Sequence, residues 1–310
     1  MRAADRDRIV KILNVADLTS EYVKYGCVRI PKLLDDDTVR LLAQESQKLL
    51  VGESEQLSLA INFFERKEWQ TLLWTTPQNV TILYDILGQS PQLDAALESI
   101  LAHPIIDRLL LDVLGTDYKM WLLQIRRANP GSDCLRIHQD RPGETCLQIL
   151  LDDIPSPAGS TVLLPGSDVW PRIINSMPFI DPKYLAPWLR SLTGKKGDAW
   201  LFTRTVWHGR LQADSRRSQT VLMLSFLPCC ANQNIVLPPP NILEQLGPKL
   251  QAAFHNKIDL SDSHLAATPE LQKLLVANPR FKWWSPWQLA IGLSYFFSLA
   301  LSVWRFCKRR

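Results

Sequence analysis

Cysteine is scarce in this sequence, and none of it is arranged as a redox or zinc motif. The six cysteines are scattered along 310 residues, and no two of them form a C-x-x-C pair. This spacing excludes the disulfide framework of a small secreted protein and favours a reducing compartment. The N-terminal residues MRAADRDRIV are too highly charged to include the apolar core of a secretory signal. Together these features predict a cytoplasmic location for the folded part of the chain.

A strong excess of one charge is also missing. The sequence has 35 basic and 31 acidic residues, which gives a formal net charge of +4. So small an imbalance does not indicate a surface for nucleic acid. The composition, with 46% hydrophobic and 21% charged residues, is that of an ordinary globular protein with a sizeable core. We expect one main domain and a tail, and the sequence leaves the oligomeric state open.

Long hydrophobic runs are missing except at the C-terminal end. Residues 287–304 form an 18-residue stretch in which Gln288 is the only strongly polar side chain, and four basic residues follow it. As a helix this stretch would be about 27 Å long, just under the thickness of a bilayer core. The run predicts a transmembrane or membrane-anchoring helix. The alternatives are a helix packed on the domain or one lying in the membrane surface.

Helical patterns dominate the first part of the chain. The acidic cluster Asp35–Asp37 follows the short β-rich run Cys27–Ile30 and suits the N-terminal end of a helix. Between residues 90 and 114, apolar side chains recur at helical spacing in two sets separated by His103 and Pro104. The sequence therefore predicts one helix after the acidic cluster and two more in this later segment.

The pattern changes after residue 117 to short β-branched and aromatic runs broken by proline, glycine, asparagine and aspartate. This texture is typical of an antiparallel β-barrel or sandwich, and it extends over about 110 residues. We predict a mainly β fold with flanking helices, and strands near Lys119–Ala128, Leu135–Asp140, Thr145–Leu151, Ser160–Leu164, Asp198–Thr203 and Thr220–Phe226.

These patterns divide the chain into four predicted segments. Residues 1–18 are an N-terminal extension, and residues 19–235 form the main domain. Residues 236–284 contain C-terminal helices and a linker, and residues 285–310 are the hydrophobic tail. No internal repeat is visible.

Three residues in the β-rich part have the chemistry of a metal site. His138 and Asp140 lie at the end of a predicted strand, where alternation places them on one face. His208 comes 68 residues after Asp140, just beyond another predicted strand. Two histidines and one carboxylate form the facial triad of non-haem iron(II), which leaves coordination positions open. A lone H-x-D is common by chance, and its histidine is then an ordinary core or surface residue; the second histidine makes the metal interpretation stronger.

The open positions suit a 2-oxo acid, which chelates through its keto oxygen and C1 carboxylate and leaves one position for O2. The far carboxylate of 2-oxoglutarate needs a cation, and Arg217 is predicted to provide a bidentate guanidinium, with Arg216 as the alternative. Gln124 and Gln139 are further candidates for contact with the co-substrate. Each glutamine is equally compatible with a purely structural role.

A second group of residues is predicted to contact the substrate. Arg126, Arg136 and Arg141 crowd the approach to the triad, which favours an anionic substrate group. A solvated basic rim is the alternative. Trp207 is a candidate for lining the pocket, although aromatic residues in β-cores more often serve packing.

Four segments, taken in order, resemble the phytanoyl-CoA dioxygenase family. They are YGCVRIPKLLDDDTVRLL, NPGSDCLRIHQD, AGSTVLLPGSD and KGDAWLFTRTVWHG. The resemblance covers about residues 19 to 230, and the ordered set is far more specific than any one motif. It implies a double-stranded β-helix (jelly-roll, cupin-like) core and an enzyme that uses Fe(II), 2-oxoglutarate and O2, with ascorbate as an optional reductant. It also implies iron ligands at His138, Asp140 and His208, and a co-substrate contact at Arg217.

The sequence departs from the family at two positions. Asp168 stands where the family often has histidine, outside the triad, and only local contacts are affected. The family arginine commonly lies a little further beyond the second histidine, which leaves Arg216 and Arg217 as rivals. Retention of Asp140 argues against the halogenating relatives, which need a small residue there to admit chloride.

The leading hypothesis is therefore hydroxylation of an unactivated C–H bond of a small-molecule or lipid-like substrate, with release of succinate and CO2. One alternative is a non-catalytic jelly-roll binding or scaffold protein. Another is the same cofactor chemistry applied to desaturation, cyclisation or epimerisation. The identity of the substrate is beyond the sequence.

Overall fold

A computed structural model describes most of the chain outside its termini. The described residues are 14–51, 69, 71–115, 118–140, 143–169, 181–228 and 237–255. All of them belong to one compact unit, residues 1–257. Arg141 and the hydrophobic tail lie outside the described residues.

The β-core consists of two antiparallel sheets whose strands come from distant parts of the chain. The strands are β1 (Cys27–Ile30), β2 (Leu72–Thr75), β3 (Val80–Tyr84), β4 (Tyr118–Ala128), β5 (Leu135–His138), β6 (Thr145–Leu150), β7 (Thr161–Leu163), β8 (Arg190–Ser191), β9 (Ala199–Thr203), β10 (His208–Arg210) and β11 (Gln219–Pro228). The large sheet has the order β1-β9-β6-β11-β4-β3-β2, and the small sheet has the order β5-β10-β7-β8. Because the chain alternates between the sheets, the fold has the crossing pattern of a jelly roll.

Four helices alternate with β1, β2 and β3 before β4, and two follow β11. They are α1 (Val15–Tyr25), α2 (Asp36–Val51), α3 (Pro91–Ala102), α4 (Pro104–Leu114), α5 (Pro240–Leu243) and α6 (Pro248–His255). The start of α3 is capped by the Ser90 hydroxyl, and the start of α4 by His103. The fold class is confirmed as mainly antiparallel β with flanking helices. The sequence did not predict α1, which starts at Val15 inside the predicted extension and buries Leu18.

The two faces of the large sheet have different partners. Alternate residues of β4, β6 and β11, such as Leu123, Leu147 and Leu224, pack with α3, α4 and α6 in the main core. The opposite face carries Cys146, Phe202 and Met223, which form a second cluster that includes Leu163 of the small sheet. The space between the two sheets is therefore lined by the second face, and the helices cover the first.

No described helix is long and apolar enough to cross a membrane. Residues 285–310, in which the sequence predicts a membrane helix, lie outside the described residues. Membrane attachment therefore stays a prediction.

Gly26 joins α1 to β1 at a point where the backbone comes very close to the loop before β10. Its φ of 68° is a left-handed conformation that glycine adopts without strain. A Cβ there would lie 2.3 Å from Cγ2 of Val206 and 3.0 Å from Oδ1 of Asp168. Val206 is two residues before His208, so the close approach helps to fix the loop that leads to the second histidine.

Replacing Gly26 with alanine is expected to lower the free energy of unfolding by about 1–3 kcal/mol, because the new methyl group overpacks this contact. Urea denaturation of the purified protein measures the change. Gly131→Ala is the control, since Gly131 has almost the same φ (69°) but the nearest atom to its added Cβ is Cα of Ser215 at 3.9 Å. An equal loss in the two variants would show that the contact with Val206 contributes nothing.

Candidate metal centre

The three predicted ligands converge at one end of the small sheet. His138, the last residue of β5, lies directly opposite His208, the first residue of β10. Asp140 follows β5, and its backbone N–H donates a 2.9 Å hydrogen bond to the carbonyl oxygen of Arg204. One ligand atom from each of the three side chains lies within 4.8 Å of the others. This is the spacing of groups that can share one metal ion.

The hydrogen bonds of the two imidazoles orient their free nitrogens toward this centre. His138 Nδ1 lies 2.7 Å from the carbonyl oxygen of Arg136, and His208 Nδ1 lies 2.8 Å from that of Val206. A carbonyl oxygen only accepts, so each Nδ1 must carry the proton and each Nε2 keeps a lone pair. The two Nε2 atoms lie 3.8 Å and 3.3 Å from the nearest Asp140 oxygens. Metal-binding histidines typically use this arrangement, in which a backbone carbonyl fixes the tautomer.

The charges of the three side chains also fit a metal site. Burial lowers the pKa of His138 to about 4, and the neighbouring His208 ring is the next cause. Burial alone would raise the pKa of Asp140, but Arg204 and the two histidines outweigh it and hold that pKa well below its usual range. At neutral pH the centre therefore offers a neutral His138 imidazole and an ionised carboxylate. This donor set is that of a 2-His-1-carboxylate iron(II) site.

Arg204 supports the carboxylate ligand and was missed in the sequence. Its guanidinium contacts Oδ2 of Asp140 and lies 3.3 Å from Oε1 of Glu144, a residue whose side chain is only 1% exposed. The backbone N–H of Arg204 also donates to the carbonyl oxygen of Glu144. Arg204 thus connects the segment after β5 to the loop before β10. Its signal in the sequence was a single charged residue in the run FTRTVWHG, four positions before His208.

Arg204→Met is expected to weaken Mn(II) binding by about 10- to 100-fold, because the carboxylate ligand loses the group that orients it. The buried Glu144 carboxylate also loses its ion pair with Arg204, so stability should fall by about 3–5 kcal/mol. Titration of the apo protein with Mn(II), followed by electron paramagnetic resonance, measures the affinity, and chemical denaturation measures the stability.

Arg29→Met is the control for this experiment, since Arg29 forms a 2.7 Å ion pair with Asp198 between β1 and the start of β9. Its Mn(II) affinity should match that of the wild type. A normal Mn(II) affinity in folded Arg204→Met would contradict a role for Arg204 in holding the ligand.

The structure does not bring Arg216 or Arg217 to the centre. Both are exposed in the turn before β11, and Arg216 is bound to Asp214 at 3.2 Å with its side chain 83% exposed. The reason is that the segment turns at the surface before the chain enters the large sheet. The cation predicted here for the far carboxylate of 2-oxoglutarate therefore has to be sought elsewhere.

The structure places the other predicted co-substrate and substrate residues in different surroundings. Gln124 and Arg126 lie on the face of β4 that lines the space between the sheets, where both contact Sδ of Met223, at 3.6 Å and 3.9 Å. Gln139 is buried beside the triad and donates to the carbonyl oxygen of Thr205, which suits a structural role. The Arg136 side chain is exposed, and its carbonyl oxygen contacts His138.

Trp207 is buried and immediately precedes His208, the first residue of β10. Its backbone N–H donates a 2.8 Å hydrogen bond to the hydroxyl of Ser167, and its carbonyl oxygen accepts one from Leu164. These bonds fix the position of the adjacent His208. Arg141 lies outside the described residues, so its predicted contact stays a prediction.

The fold and the centre together define a class of protein, a jelly roll with a 2-His-1-carboxylate metal site on its small sheet. The family model described as phytanoyl-CoA dioxygenase (PhyH) matches residues 22–219. The chain belongs to this family. It is accordingly a 2-oxoglutarate-dependent oxidoreductase that uses iron and 2-oxoglutarate.

Solved structures show the same fold at low sequence identity. The carbocyclase SnoK from nogalamycin biosynthesis is 19% identical, with a TM-score of 0.53 over 77% of this chain and 92% of that one. The epimerase SnoN from the same biosynthesis is 17% identical, with a TM-score of 0.52 over 69% of this chain and 83% of that one. HygX from Streptomyces hygroscopicus is 13% identical, with a TM-score of 0.51 over 68% and 86%. Among curated proteins, none matches this sequence significantly.

Proposed function

We propose that this chain is an Fe(II)- and 2-oxoglutarate-dependent dioxygenase that hydroxylates an unactivated C–H bond of a small-molecule or lipid-like substrate, with release of succinate and CO2. The observation that carries this proposal is the convergence of the two Nε2 atoms of His138 and His208 with the carboxylate of Asp140. The fixed Nδ1 protons and the ionised carboxylate support it, because they prepare the site for a divalent cation.

Each residue around the centre has a distinct part in this function. His138, Asp140 and His208 would hold iron on one face and leave the other positions for 2-oxoglutarate and O2. Bound iron would activate O2, which is the oxidant, and the C–H bond and the decarboxylation of 2-oxoglutarate to succinate would each supply two of the four electrons that reduce it. Arg204 keeps Asp140 charged and oriented. The apolar side chains of Phe202, Leu163 and Met223 keep water away from the reacting groups.

A small-molecule substrate is supported by the compounds bound in the similar structures. One HygX structure contains nickel, 2-oxoglutarate and hygromycin B, and one SnoN structure contains Fe3+, α-ketoglutarate and nogalamycin RO. The fold also serves an epimerase and a carbocyclase, so desaturation, cyclisation or epimerisation is a second candidate outcome. Analysis of the product separates these outcomes from hydroxylation. A purely scaffolding role is not favoured, because the complete donor set has no structural purpose without a metal.

The central test replaces one imidazole. The wild-type protein is expected to bind one Fe(II) per chain and to convert 2-oxoglutarate slowly to succinate even without substrate. His138→Ala should lose both properties, because two ligands do not hold the ion in competition with water. Iron is measured by elemental analysis under anaerobic conditions, and succinate is measured by mass spectrometry.

Asp214→Ala is the matched control, since the Asp214 carboxylate pairs with exposed Arg216 at the surface. It should keep wild-type iron content and succinate release. Wild-type protein that binds no iron, or His138→Ala that retains it at the same affinity, would refute the proposed centre. Comparison of metabolites and lipids from cells with and without the gene would then identify the substrate class.

The hydrophobic tail gives a separate prediction about location. Removal of residues 285–310 is expected to release the protein from membranes, because the run 287–304 has no charged side chain. Ultracentrifugation of lysates, with and without carbonate washing, measures the membrane-bound fraction. A full-length chain that is already in the supernatant would contradict membrane attachment.

A further inference from the structure

Two arginines in the space between the sheets have no carboxylate partner among the described residues. Arg126 belongs to β4 of the large sheet, and Arg210 ends β10 in the small sheet. Within the described part of the chain, neither guanidinium forms an ion pair, whereas Arg204 has two acidic partners. A half-buried cation without an ion-pair partner has lost part of its hydration without a direct replacement, so these two arginines require an explanation.

Within the part of the chain that the structure describes, Arg126 has almost no polar contacts. Its Nη1 approaches Sδ of Met223 at 3.9 Å, and its buried Nε has no hydrogen-bond partner. Burial lowers the pKa of Arg126, and the positive charge of Arg204 adds to that effect, while Tyr84 and Asp140 oppose it. A guanidinium offers five N–H donors in a planar fork. Most of this donor capacity remains unused and faces the space next to the triad.

Arg210 is held in position by hydrogen bonds to the segment before β5. Its guanidinium donates a 2.7 Å hydrogen bond to the hydroxyl of Ser132 and another bond to the carbonyl oxygen of Asp133. Burial, followed by the repulsion from Arg126, lowers the pKa of Arg210 to about 10. The two guanidiniums are therefore close enough to disfavour each other's charge. A pair of like charges held together in a buried space is the usual sign of a site for an opposite charge.

The strand that follows Arg217 offers no competing cation to this space. On β11 the residues that share the face of Met223 are Gln219, Val221 and Ser225. The Gln219 amide is already engaged, because its Nε2 donates a 2.7 Å hydrogen bond to the carbonyl oxygen of Ala158. Among the described arginines that face this space without an acidic partner are Arg126 of β4 and Arg210 of β10.

The position of the pair relative to the triad favours a short dicarboxylate. Arg210 follows His208 by two residues on the same face of β10, a separation of about 7 Å along a strand. Thr161 lies opposite Arg210 and bonds Gln148 across the gap between the sheets, which places Arg210 inside that gap. In 2-oxoglutarate two methylene groups separate the chelating end from the second carboxylate, and this spacing is compatible with such a span.

We propose that Arg126 and Arg210, one from each sheet, bind the distal carboxylate of 2-oxoglutarate in place of Arg216 or Arg217. This inference rests on the proposed function, since it assigns the anion site to the co-substrate of that reaction. A carboxylate between two guanidiniums satisfies the unused donors of Arg126 and neutralises part of the paired charge. Gln124, one position along the same face of β4, lines the approach to this site.

The test measures binding without turnover. Wild-type protein loaded with Mn(II) is titrated with 2-oxoglutarate and, separately, with 2-oxobutyrate, which lacks the distal carboxylate, in the absence of O2. Isothermal calorimetry is expected to show a strong preference for 2-oxoglutarate. Arg126→Gln and Arg210→Gln should each weaken 2-oxoglutarate binding by about 10- to 100-fold, as expected for loss of a charged hydrogen-bond partner. Their affinity for 2-oxobutyrate should stay at the wild-type level.

Arg216→Gln and Arg217→Gln are the matched controls, since both change an arginine on the exposed turn before β11. They should keep the wild-type preference for 2-oxoglutarate. Mn(II) affinity and thermal melting are measured for every variant to separate loss of the anion site from loss of the fold. If Arg210→Gln does not fold, Arg126→Gln decides alone, because Arg126 donates to no protein oxygen or nitrogen atom among the described residues.

The possible results separate this inference from the proposed function. A preference that survives in Arg126→Gln, or that is lost in Arg217→Gln instead, overturns the assignment and leaves the proposed function standing. Wild-type protein that binds Mn(II) but neither 2-oxo acid overturns the proposed function and the inference with it. Loss of the preference in the Arg126 and Arg210 variants alone supports both.

Discussion

The candidate site depends on the antiparallel pairing of β5 with β10. This pairing sets His138 opposite His208, although 70 residues separate them in the chain. A slip of one residue would turn one imidazole to the other face of the sheet and disperse the site. Gly209 permits the close approach of these strands, because a Cβ there would lie 2.6 Å from the carbonyl oxygen of Leu135. In the H-G pair of the sequence, His208 is thus the ligand, and Gly209 allows its strand to pair closely with β5.

The charged groups between the sheets fall into two sets with opposite character. Arg204, Asp140 and Glu144 form a closed network in which each charge has a partner. Such a network fixes a ligand and is complete within the protein. Arg126 and Arg210 have no acidic partner among the described residues and repel each other. The first set is suited to supporting a metal ligand, and the second is suited to binding an anion. The metal and the anionic co-substrate would therefore bind next to each other in the space between the sheets.

The similar structures have low sequence identity to this chain and include enzymes with different reactions. An epimerase, a carbocyclase and HygX share this architecture at 13–19% identity. A common jelly roll with a metal on its small sheet therefore does not decide which bond reacts. That choice depends on how the substrate is presented to the centre, which is a property of the loops and side chains at the mouth of the cavity.

The sequence by itself determined the elements with strong local patterns. The helices α2, α3 and α4, and the strands β4, β6, β9 and β11, were predicted from apolar periodicity and from turn residues, and the H-x-D and H-G segments identified the triad. The short strands β2 and β3 were missed, because four or five residues carry too little pattern to distinguish a strand from a loop.

Only the tertiary structure decided where each arginine lies. Its distance from His208 in the sequence favours Arg217, yet Arg217 lies on an exposed turn, while Arg126 lies on the inner face of β4. The partnership of Arg204 with Asp140 was equally invisible. The physical reason is that a charged side chain can be identified from the local sequence. Its partner, however, depends on the strand register between segments that are distant in the chain.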